Sequence, residues 1–353
     1  TPTPEPEEPA GPKTMVVCMG QEPDTLYPYG GDMLAAAHIQ QAVYDGEEWG
    51  GGDSRTYAFQ PVILTKLPDL ADDDAAIEAV TVQAGDTVVD DAGDPVELAE
   101  GMMLRPSGCN SSDCAVEFTG DPVEMDQMVV TFQLVDNLTW SNGDPLTADD
   151  SVYGFELNAD PDTPTSRFTV ERTASYEATS DTSLVWTGLP GYIDSTYYIN
   201  FWHPFPRSLW QDELGYSAAD LLEAEESSRM PMGWGAFIIT EWVAGDHITV
   251  EKNPNYFRAD EGLPYLDTII FRFVPDSNAA VAQLISGECD IATQDGSLDD
   301  QAELLLKLEQ EGIVKPVFVT FTFWEHVDFG INPVDDYDRP DFFEDTRTRQ
   351  AIA

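Results

Sequence analysis

The sequence predicts an α/β protein of two or three lobes that includes a strand-rich subdomain. A length of 353 residues exceeds the usual size of a single domain. Hydrophobic residues make up 42% of the chain, which is enough apolar material for a folded core. From residue 274 onward, helical and strand-like segments alternate as in α/β layers, whereas residues 46–179 consist of short alternating segments separated by Gly, Pro and Asp.

The amino-terminal residues 1–13 are rich in proline and glutamate and predict an extended linker. The apolar run MVVCMG follows it and predicts a buried strand. The segment MLAAAHIQQAVYD places His38, Ile39 and Val43 at helical spacing, with Asp32 in the position of an N-cap. We therefore expect the folded body to begin with a strand and a helix.

The middle of the chain predicts hairpins first and mixed structure later. Residues 79–98 and 128–147 show the two-residue period and the turn residues of antiparallel hairpins. Thr147 precedes acidic residues and an apolar face, which predicts a capped helix. The later segments predict, in order, one helix, three strands, and a helix with a glycine stop before another strand: SAADLLEAEESSR, AFIITEWV, HITVEKN, LDTIIFRFV and SNAAVAQLISGECDIAT. Residues 299–331 repeat a helix followed by strands.

The net charge limits the classes of partner. The chain has 66 Asp and Glu residues against 16 Lys and Arg residues, a formal charge of −50. Such a surface repels nucleic-acid backbones and anionic lipids. The sequence also has no stretch that approaches the roughly 18–20 apolar residues of a membrane-spanning helix. We interpret the acidity as a solvated surface suited to an acidic or salty medium.

The four cysteines fall into two pairs of different character. Cys109 and Cys114 flank a Gly/Asn/Ser/Asp loop and predict a disulfide across a hairpin, which indicates an oxidising, extracytoplasmic compartment. A metal half-site is the alternative for this spacing, but no second His/Cys pair completes it. Cys18 and Cys289 lie in apolar, strand-like runs, and we expect them to be buried thiols.

Familiar catalytic motifs are absent from the sequence, which has no GxSxG, HExxH, GxxxxGK[ST] or strand–GxGxxG–helix pattern. The histidines are scattered, with no two at metal-ligand spacing: His38, His203, His247 and His326. Two rival functions stay open, a secreted hydrolase that uses paired carboxylates and a calcium-dependent surface module. Both depend on the abundance of Asp and Glu alone.

Six segments carry a resemblance to a known family. They are GQEPDTLYPY, LTWSNGDPLTADDSVYGFEL, GWGAFIITEWVAGDHITVEKNPNYF, GLPYLDTIIFRFVPD, LISGECDIAT and FFEDTRTRQAIA. In this order, from residue 16 to residue 353, the chain resembles the bacterial extracellular solute-binding proteins of family 5. That family includes the dipeptide- and oligopeptide-binding components of ABC importers. One departure is Ala236-Phe237 after the second glycine of GWG, where the family usually has proline and then tyrosine.

The resemblance implies a two-lobed fold of the periplasmic-binding-protein type, cluster C. Lobe I would comprise residues 14–45 and 180–273, with residues 46–179 as its strand-rich subdomain. Lobe II would start at residue 274 and be incomplete, because family members of this type continue beyond the segment that ends this chain. Closure of two lobes on a hinge buries a ligand between them.

The resemblance also implies a function. The protein would be a monomer outside the cytoplasm, tethered by an amino-terminal lipid anchor, that captures a peptide-like solute and delivers it to an ABC transporter permease. It would be no enzyme and would need no cofactor. Nickel chelates, oligosaccharides and haem are the alternative solutes within the family.

By similarity, the turn at residues 22–29 and the strand around residues 317–329 face the ligand. The implied contacts are Glu22, Asp24, Thr25, Tyr29, Trp234, Thr322, Trp324 and Glu325. Glu22 and Asp24 are suited to a cationic group such as a peptide amine. Asp24 is equally suited to capping the turn, and Trp234 to either the core or a pocket wall.

Overall fold

The computed structural model describes residues 11–46, 52–53, 58–318, 329 and 343–352, and the statements below concern these residues. The chain divides into two compact units, Thr1–Ala302 and Glu303–Ala353. The strands are β1 (Thr14–Met19), β2 (Gly52–Asp53), β3 (Gln60–Pro61), β4 (Ala75–Val82), β5 (Thr87–Val89), β6 (Pro95–Glu97), β7 (Met103–Leu104), β8 (Val116–Glu117), β9 (Val123–Gln133), β10 (Thr173–Ser180), β11 (Ser183–Gly188), β12 (Phe237–Val243), β13 (His247–Lys252), β14 (Thr268–Phe273) and β15 (Ile291–Ala292). The α-helices are α1 (Leu34–Tyr44), α2 (Ala148–Ala159), α3 (Ala218–Leu221), α4 (Glu225–Ser228), α5 (Ser277–Ser286), α6 (Ala302–Gln310) and α7 (Thr346–Ile352).

A five-stranded sheet in the order β12-β13-β14-β1-β15 forms the centre of the first unit. Strand β1 is parallel to both of its neighbours, β14 and β15, whereas β12 and β13 form an antiparallel hairpin beside β14. Helix α1 buries Ile39 and Val43 in the same core as Ile248 and Val250 of β13. The apolar runs predicted from the sequence as strands therefore lie side by side, although β1 and β14 are far apart in the chain.

A second, antiparallel sheet has the order β10-β11-β9-β4. Its longest pairing joins β4 to β9 over eight residues. Helix α2 packs beside this sheet and begins at Ala148, directly after the predicted cap residue Thr147, which forms a capping box with Asp150. The sheet continues to Gly188, past the subdomain boundary expected at residue 179. A small satellite core lies under its outer hairpins and contains Val82, Val88, Leu98, Leu104, Phe118 and Met125.

The start of α1 and the helix predicted around residues 217–229 differ from expectation. Asp32 is not the N-cap of α1, because Met33 takes the extended cap position and the helix begins at Leu34. The predicted helix is broken into the two short helices α3 and α4. The break lies at Ala224, whose backbone is extended, and the hydroxyl of Ser227 donates to the carbonyl oxygen of Leu221 at the end of α3.

The structure contains the predicted disulfide between Cys109 and Cys114, with 5.7 Å between the Cα atoms. The expectation of free thiols at Cys18 and Cys289 was wrong. These residues are buried as predicted, but they form a second disulfide, with 5.9 Å between their Cα atoms. The physical reason is the parallel pairing of β1 with β15, which brings together positions that lie 271 residues apart in the chain.

The sequence Gly233-Trp234-Gly235 passes directly over the end of α1. The amide of Gly235 donates to the carbonyl oxygen of Val43 at 2.7 Å. A Cβ atom would lie 2.1 Å from that oxygen at Gly233 and 2.5 Å from it at Gly235. The two backbones therefore approach each other so closely that only glycine is permitted at these positions.

We expect Gly235→Ala to lower the free energy of unfolding by about 3 kcal/mol, because the new methyl group displaces a backbone carbonyl rather than a flexible side chain. Guanidinium denaturation followed by tryptophan fluorescence measures the effect. Gly11→Ala is the control, since a methyl group at Gly11 would have nothing within 4 Å, and it should stay within about 0.5 kcal/mol of wild type. Equal stabilities of the two variants would contradict the explanation.

Candidate functional site

Three segments of the first unit meet where the parallel strands end. Strands β14, β1 and β15 run in the same direction, so residues 274–276, 20–29 and 293–296 leave the sheet at one edge. We call this the carboxyl edge, and residues 20–29 the edge turn. In open α/β sheets, ligands bind in the crevice outside the carboxyl ends of the strands. The carboxyl edge is therefore the candidate site on geometry alone.

Asp295 fixes the first residues of the edge turn. Its Oδ2 atom accepts hydrogen bonds from the backbone amides of Gly20 at 2.9 Å and Gln21 at 3.1 Å, and its Oδ1 atom accepts one from the hydroxyl of Thr293. The side chain of Asp295 is only 4% exposed. Gly20 also lies against Gly296 so closely that a Cβ atom would come within 2.3 Å of the Gly296 Cα atom. The edge turn is thus joined to the segment that follows β15.

His38 of α1 lies beside this carboxylate. Its Nε2 atom is 3.7 Å from Oδ1 of Asp295, which is too long for a hydrogen bond. Burial lowers the pKa of His38, and the negative charge of Asp295 opposes this shift without cancelling it. His38 is therefore neutral at pH 7.

Glu22 joins the edge turn to the β12–β13 hairpin. Its two carboxylate oxygens accept hydrogen bonds from the indole Nε1 of Trp242 and from the backbone amide of Gly245, each at 2.8 Å. The guanidinium of Arg229 lies over the Trp242 ring, 4.7 Å from its centre. Both oxygens of Glu22 thus have partners inside the protein. Its contact with a ligand stays a prediction.

The other predicted residues of the edge turn, Asp24, Thr25 and Tyr29, differ in their exposure and in their contacts. Asp24 is exposed, and among the described residues no group forms a hydrogen bond or ion pair with its carboxylate. The hydroxyl of Thr25 accepts a hydrogen bond from the amide of Tyr27 at 3.1 Å. Tyr29 is 9% exposed and packs edge-on against Phe205, with 4.9 Å between ring centres. Asp24 is therefore the acidic side chain of the edge turn that is available to a partner.

Trp234 lies in the core of the first unit and is 1% exposed. Its ring contacts Tyr44, His203 and Trp140, with ring centres 5.1, 4.9 and 5.6 Å away. The sequence left open whether Trp234 belongs to the core or to a pocket wall, and this packing is that of a core residue. Its contact with a ligand stays a prediction. The other predicted contacts, Thr322, Trp324 and Glu325, lie outside the described residues.

Two titratable groups are buried in the first unit. His203 is 2% exposed, neither ring nitrogen has a hydrogen-bond partner among the described residues, and burial lowers its pKa to about 3. Asp150 is 6% exposed, and burial raises its pKa to about 6. Hydrogen bonds from the amides of Thr147 and Arg207 oppose the shift of Asp150. In both cases burial disfavours the charged form, which lowers the pKa of a histidine and raises that of a carboxyl group.

Sequence reasoning missed Asp295, Trp242 and Gly245 as partners of the edge turn. Asp295 had one usable signal, since an acid soon after the predicted strand DIAT falls at the carboxyl edge of a parallel sheet. Within the described ranges, no group of three or more His, Cys, Asp and Glu residues has the arrangement of a metal site. The described helices include none that is both long enough and apolar enough to cross a membrane.

Comparison with known proteins decides the family. The model of the bacterial extracellular solute-binding proteins, family 5 middle, matches residues 119–353. The chain belongs to family 5. The resemblance seen in the sequence is thereby confirmed, and family 5 consists of solute-binding proteins.

Individual relatives within family 5 agree with this result. The oligopeptide-binding protein AppA of Bacillus subtilis is 31% identical over 215 residues, which cover 60% of this chain and 36% of AppA. The oligopeptide-binding protein of Thermus thermophilus, complexed with a pentapeptide, has a TM-score of 0.53 at 15% identity, over 79% of this chain and 44% of that one. The Escherichia coli murein tripeptide-binding protein MppA has a TM-score of 0.50 at 17% identity, over 84% and 48%.

These structural matches confirm the predicted mixed α/β fold of the periplasmic oligopeptide-binding type. The chain spans less than half the length of each of the relatives named above.

Proposed function

We propose that the complete protein containing this chain captures a peptide-like solute outside the cytoplasm and delivers it to the permease of an ABC importer. The observation that carries the proposal is the family 5 match over residues 119–353. The named relatives bind an oligopeptide, a pentapeptide or a murein tripeptide by their own descriptions, so peptides are the first solutes to test. A lipid anchor and a monomeric state belong to the same proposal.

The carboxyl edge supports a role for Asp24 in recognising a cationic group. Its carboxylate is exposed at the edge where open α/β sheets bind ligands, and it has no partner among the described residues. A peptide amino terminus is a cation that a carboxylate binds through short, charge-assisted hydrogen bonds. Glu22 is less suited to this task, because both of its oxygens accept hydrogen bonds from the protein.

Isothermal titration calorimetry of the complete protein with di- to nonapeptides tests the proposal. We expect saturable binding with a 1:1 stoichiometry, and mass spectrometry should show the same peptide after release. Binding of a nickel chelate, an oligosaccharide or haem in place of every peptide would redirect the solute assignment. Steady conversion of a peptide or glycan into products would replace the proposal with a hydrolase.

We expect Asp24→Asn to weaken binding of a peptide with a free amino terminus by about 10- to 100-fold, the usual range for a lost charged hydrogen bond. The amino-acetylated form of the same peptide should bind both proteins equally, because it offers no ammonium group. Asp73→Asn is the matched control, since it removes one exposed charge in the loop before β4. Equal losses for Asp24→Asn and Asp73→Asn would assign the effect to long-range charge instead.

A further inference from the structure

The edge turn is held by two carboxylates that come from different parts of the chain. Glu22 projects from the turn and accepts hydrogen bonds from Trp242 and Gly245 of the β12–β13 hairpin. Asp295 projects from the segment after β15 and accepts hydrogen bonds from the amides of Gly20 and Gln21. A short loop without such partners would sample many conformations, at a cost of about 1–2 kcal/mol for each residue that has to be ordered.

We propose that Asp295 and Glu22 are positioning residues, which keep the edge turn in the shape that binds the solute without contacting the solute themselves. The inference rests on the proposed function, because the shape of the turn affects affinity only if the turn faces the ligand. It assigns Glu22 a role different from the ligand contact implied by the family resemblance. Preorganisation of this kind raises affinity by removing the ordering cost from the binding step.

The burial of Asp295 supports this role. Its side chain is 4% exposed and its carboxylate accepts three hydrogen bonds, from Gly20, Gln21 and Thr293. His38 lies nearby but outside hydrogen-bonding distance. A carboxylate in this position has little remaining capacity for a ligand, whereas the loss of its side chain would leave two backbone amides at the start of the edge turn without their acceptor.

The chain provides a matched control in Asp290, which lies before β15 as Asp295 lies after it. Oδ2 of Asp290 accepts a hydrogen bond from the amide of Val16 at 2.8 Å. Each carboxylate therefore binds backbone amides in or next to β1, but only Asp295 binds those of the edge turn. Removal of either side chain takes away one negative charge and the acceptor of a backbone amide in or next to β1, although the exposed Asp290 accepts one hydrogen bond and the buried Asp295 accepts three.

The experiment compares Asp295→Ala, Asp295→Asn and Asp290→Ala in the complete protein. We expect Asp295→Ala to weaken peptide binding at least about tenfold, and Asp295→Asn to weaken it about threefold because an amide oxygen is a weaker acceptor than a carboxylate. Asp290→Ala should stay within about twofold of wild type. Glu22→Ala should weaken binding of the free and of the amino-acetylated peptide by the same factor. If Glu22 contacted the amine directly, the substitution would weaken binding of the free peptide alone.

Hydrogen exchange without ligand separates this inference from the proposed function. Asp295→Ala should accelerate exchange of the Gly20 and Gln21 amides about tenfold or more, and Asp290→Ala should accelerate that of Val16 instead. Unchanged exchange at Gly20 and Gln21 overturns the inference, whatever the ligand. Faster exchange with unchanged peptide affinity also overturns the inference. If Asp295→Ala does not fold, exchange and peptide affinity of Asp295→Asn against wild type decide the question. A wild-type protein that binds no peptide overturns the proposed function.

Discussion

Replacement of both Cys18 and Cys289 by serine is expected to lower the free energy of unfolding by about 5–6 kcal/mol. The disulfide between them closes a loop of 271 residues, and in the chain-entropy model the stabilisation grows with the logarithm of the loop length. Guanidinium denaturation of the oxidised wild type and the double variant measures the difference. Both residues are 2% exposed, so the two hydroxyls would add a further cost of burying polar groups.

The matched control is the double replacement of Cys109 and Cys114. Their separation is 5 residues, for which the same relation predicts only about 2 kcal/mol. Both double variants lose one disulfide, so only the loop length and the burial differ strongly between them. Equal destabilisation by the two replacements would show that closing the long loop does not account for the effect.

Acid is expected to destabilise the first unit through His203. Its pKa is about 3 in the folded protein and about 6.5 when unfolded, so the unfolded chain binds the proton more readily. The stabilising contribution of neutral His203 is complete above pH 6.5 and falls as the pH decreases toward 3. The slope approaches about 1.4 kcal/mol per pH unit, or about 2–3 kcal/mol between pH 6.5 and 4.5.

Two variants separate His203 from the other buried groups. His203→Phe keeps a planar ring against Tyr44 and Trp234 but cannot bind a proton, so the loss of stability between pH 6.5 and 4.5 should become shallower. Asp150 acts in the opposite direction, because its folded pKa of about 6 makes the folded chain the better proton acceptor between pH 6 and 4. Asp150→Asn should therefore make the loss steeper. Urea titrations at fixed pH values measure the free energy of unfolding of each protein. The account would be contradicted if this free energy changed with pH in both variants as it does in wild type.

Local sequence signals predicted much of the first unit. The apolar run of β1, the capped start of α2 at Thr147 and the helix α5 ending before Gly287 all appear where their residues indicate. Each depends on neighbours within a few positions, such as a cap three residues from its acceptor or a glycine that takes a left-handed conformation. The exceptions are Asp32, which does not cap α1, and the predicted helix of residues 217–229, which is broken where Ala224 takes an extended conformation.

The candidate site was predicted less completely, because its decisive contacts are distant in the chain. The family resemblance predicted that the edge turn faces the ligand. Nothing near Gly20 in the sequence, however, indicates that Asp295 accepts a hydrogen bond from the Gly20 amide. The bond between Cys18 and Cys289 escaped prediction for the same reason. Such pairs follow from which strands become neighbours, and hydrophobic periodicity identifies a strand without naming its neighbour.

The position of β1 between β14 and β15 also affects how the chain is made. The ribosome completes β1 at residue 19, yet the two strands that pair with it end only at residues 273 and 292. At about 5–20 residues per second, the interval amounts to tens of seconds. During that time an apolar strand with both edges unpaired is available for wrong pairing. We therefore expect a chaperone that shields nascent β1 to benefit this protein more than it benefits a protein whose successive strands pair with each other.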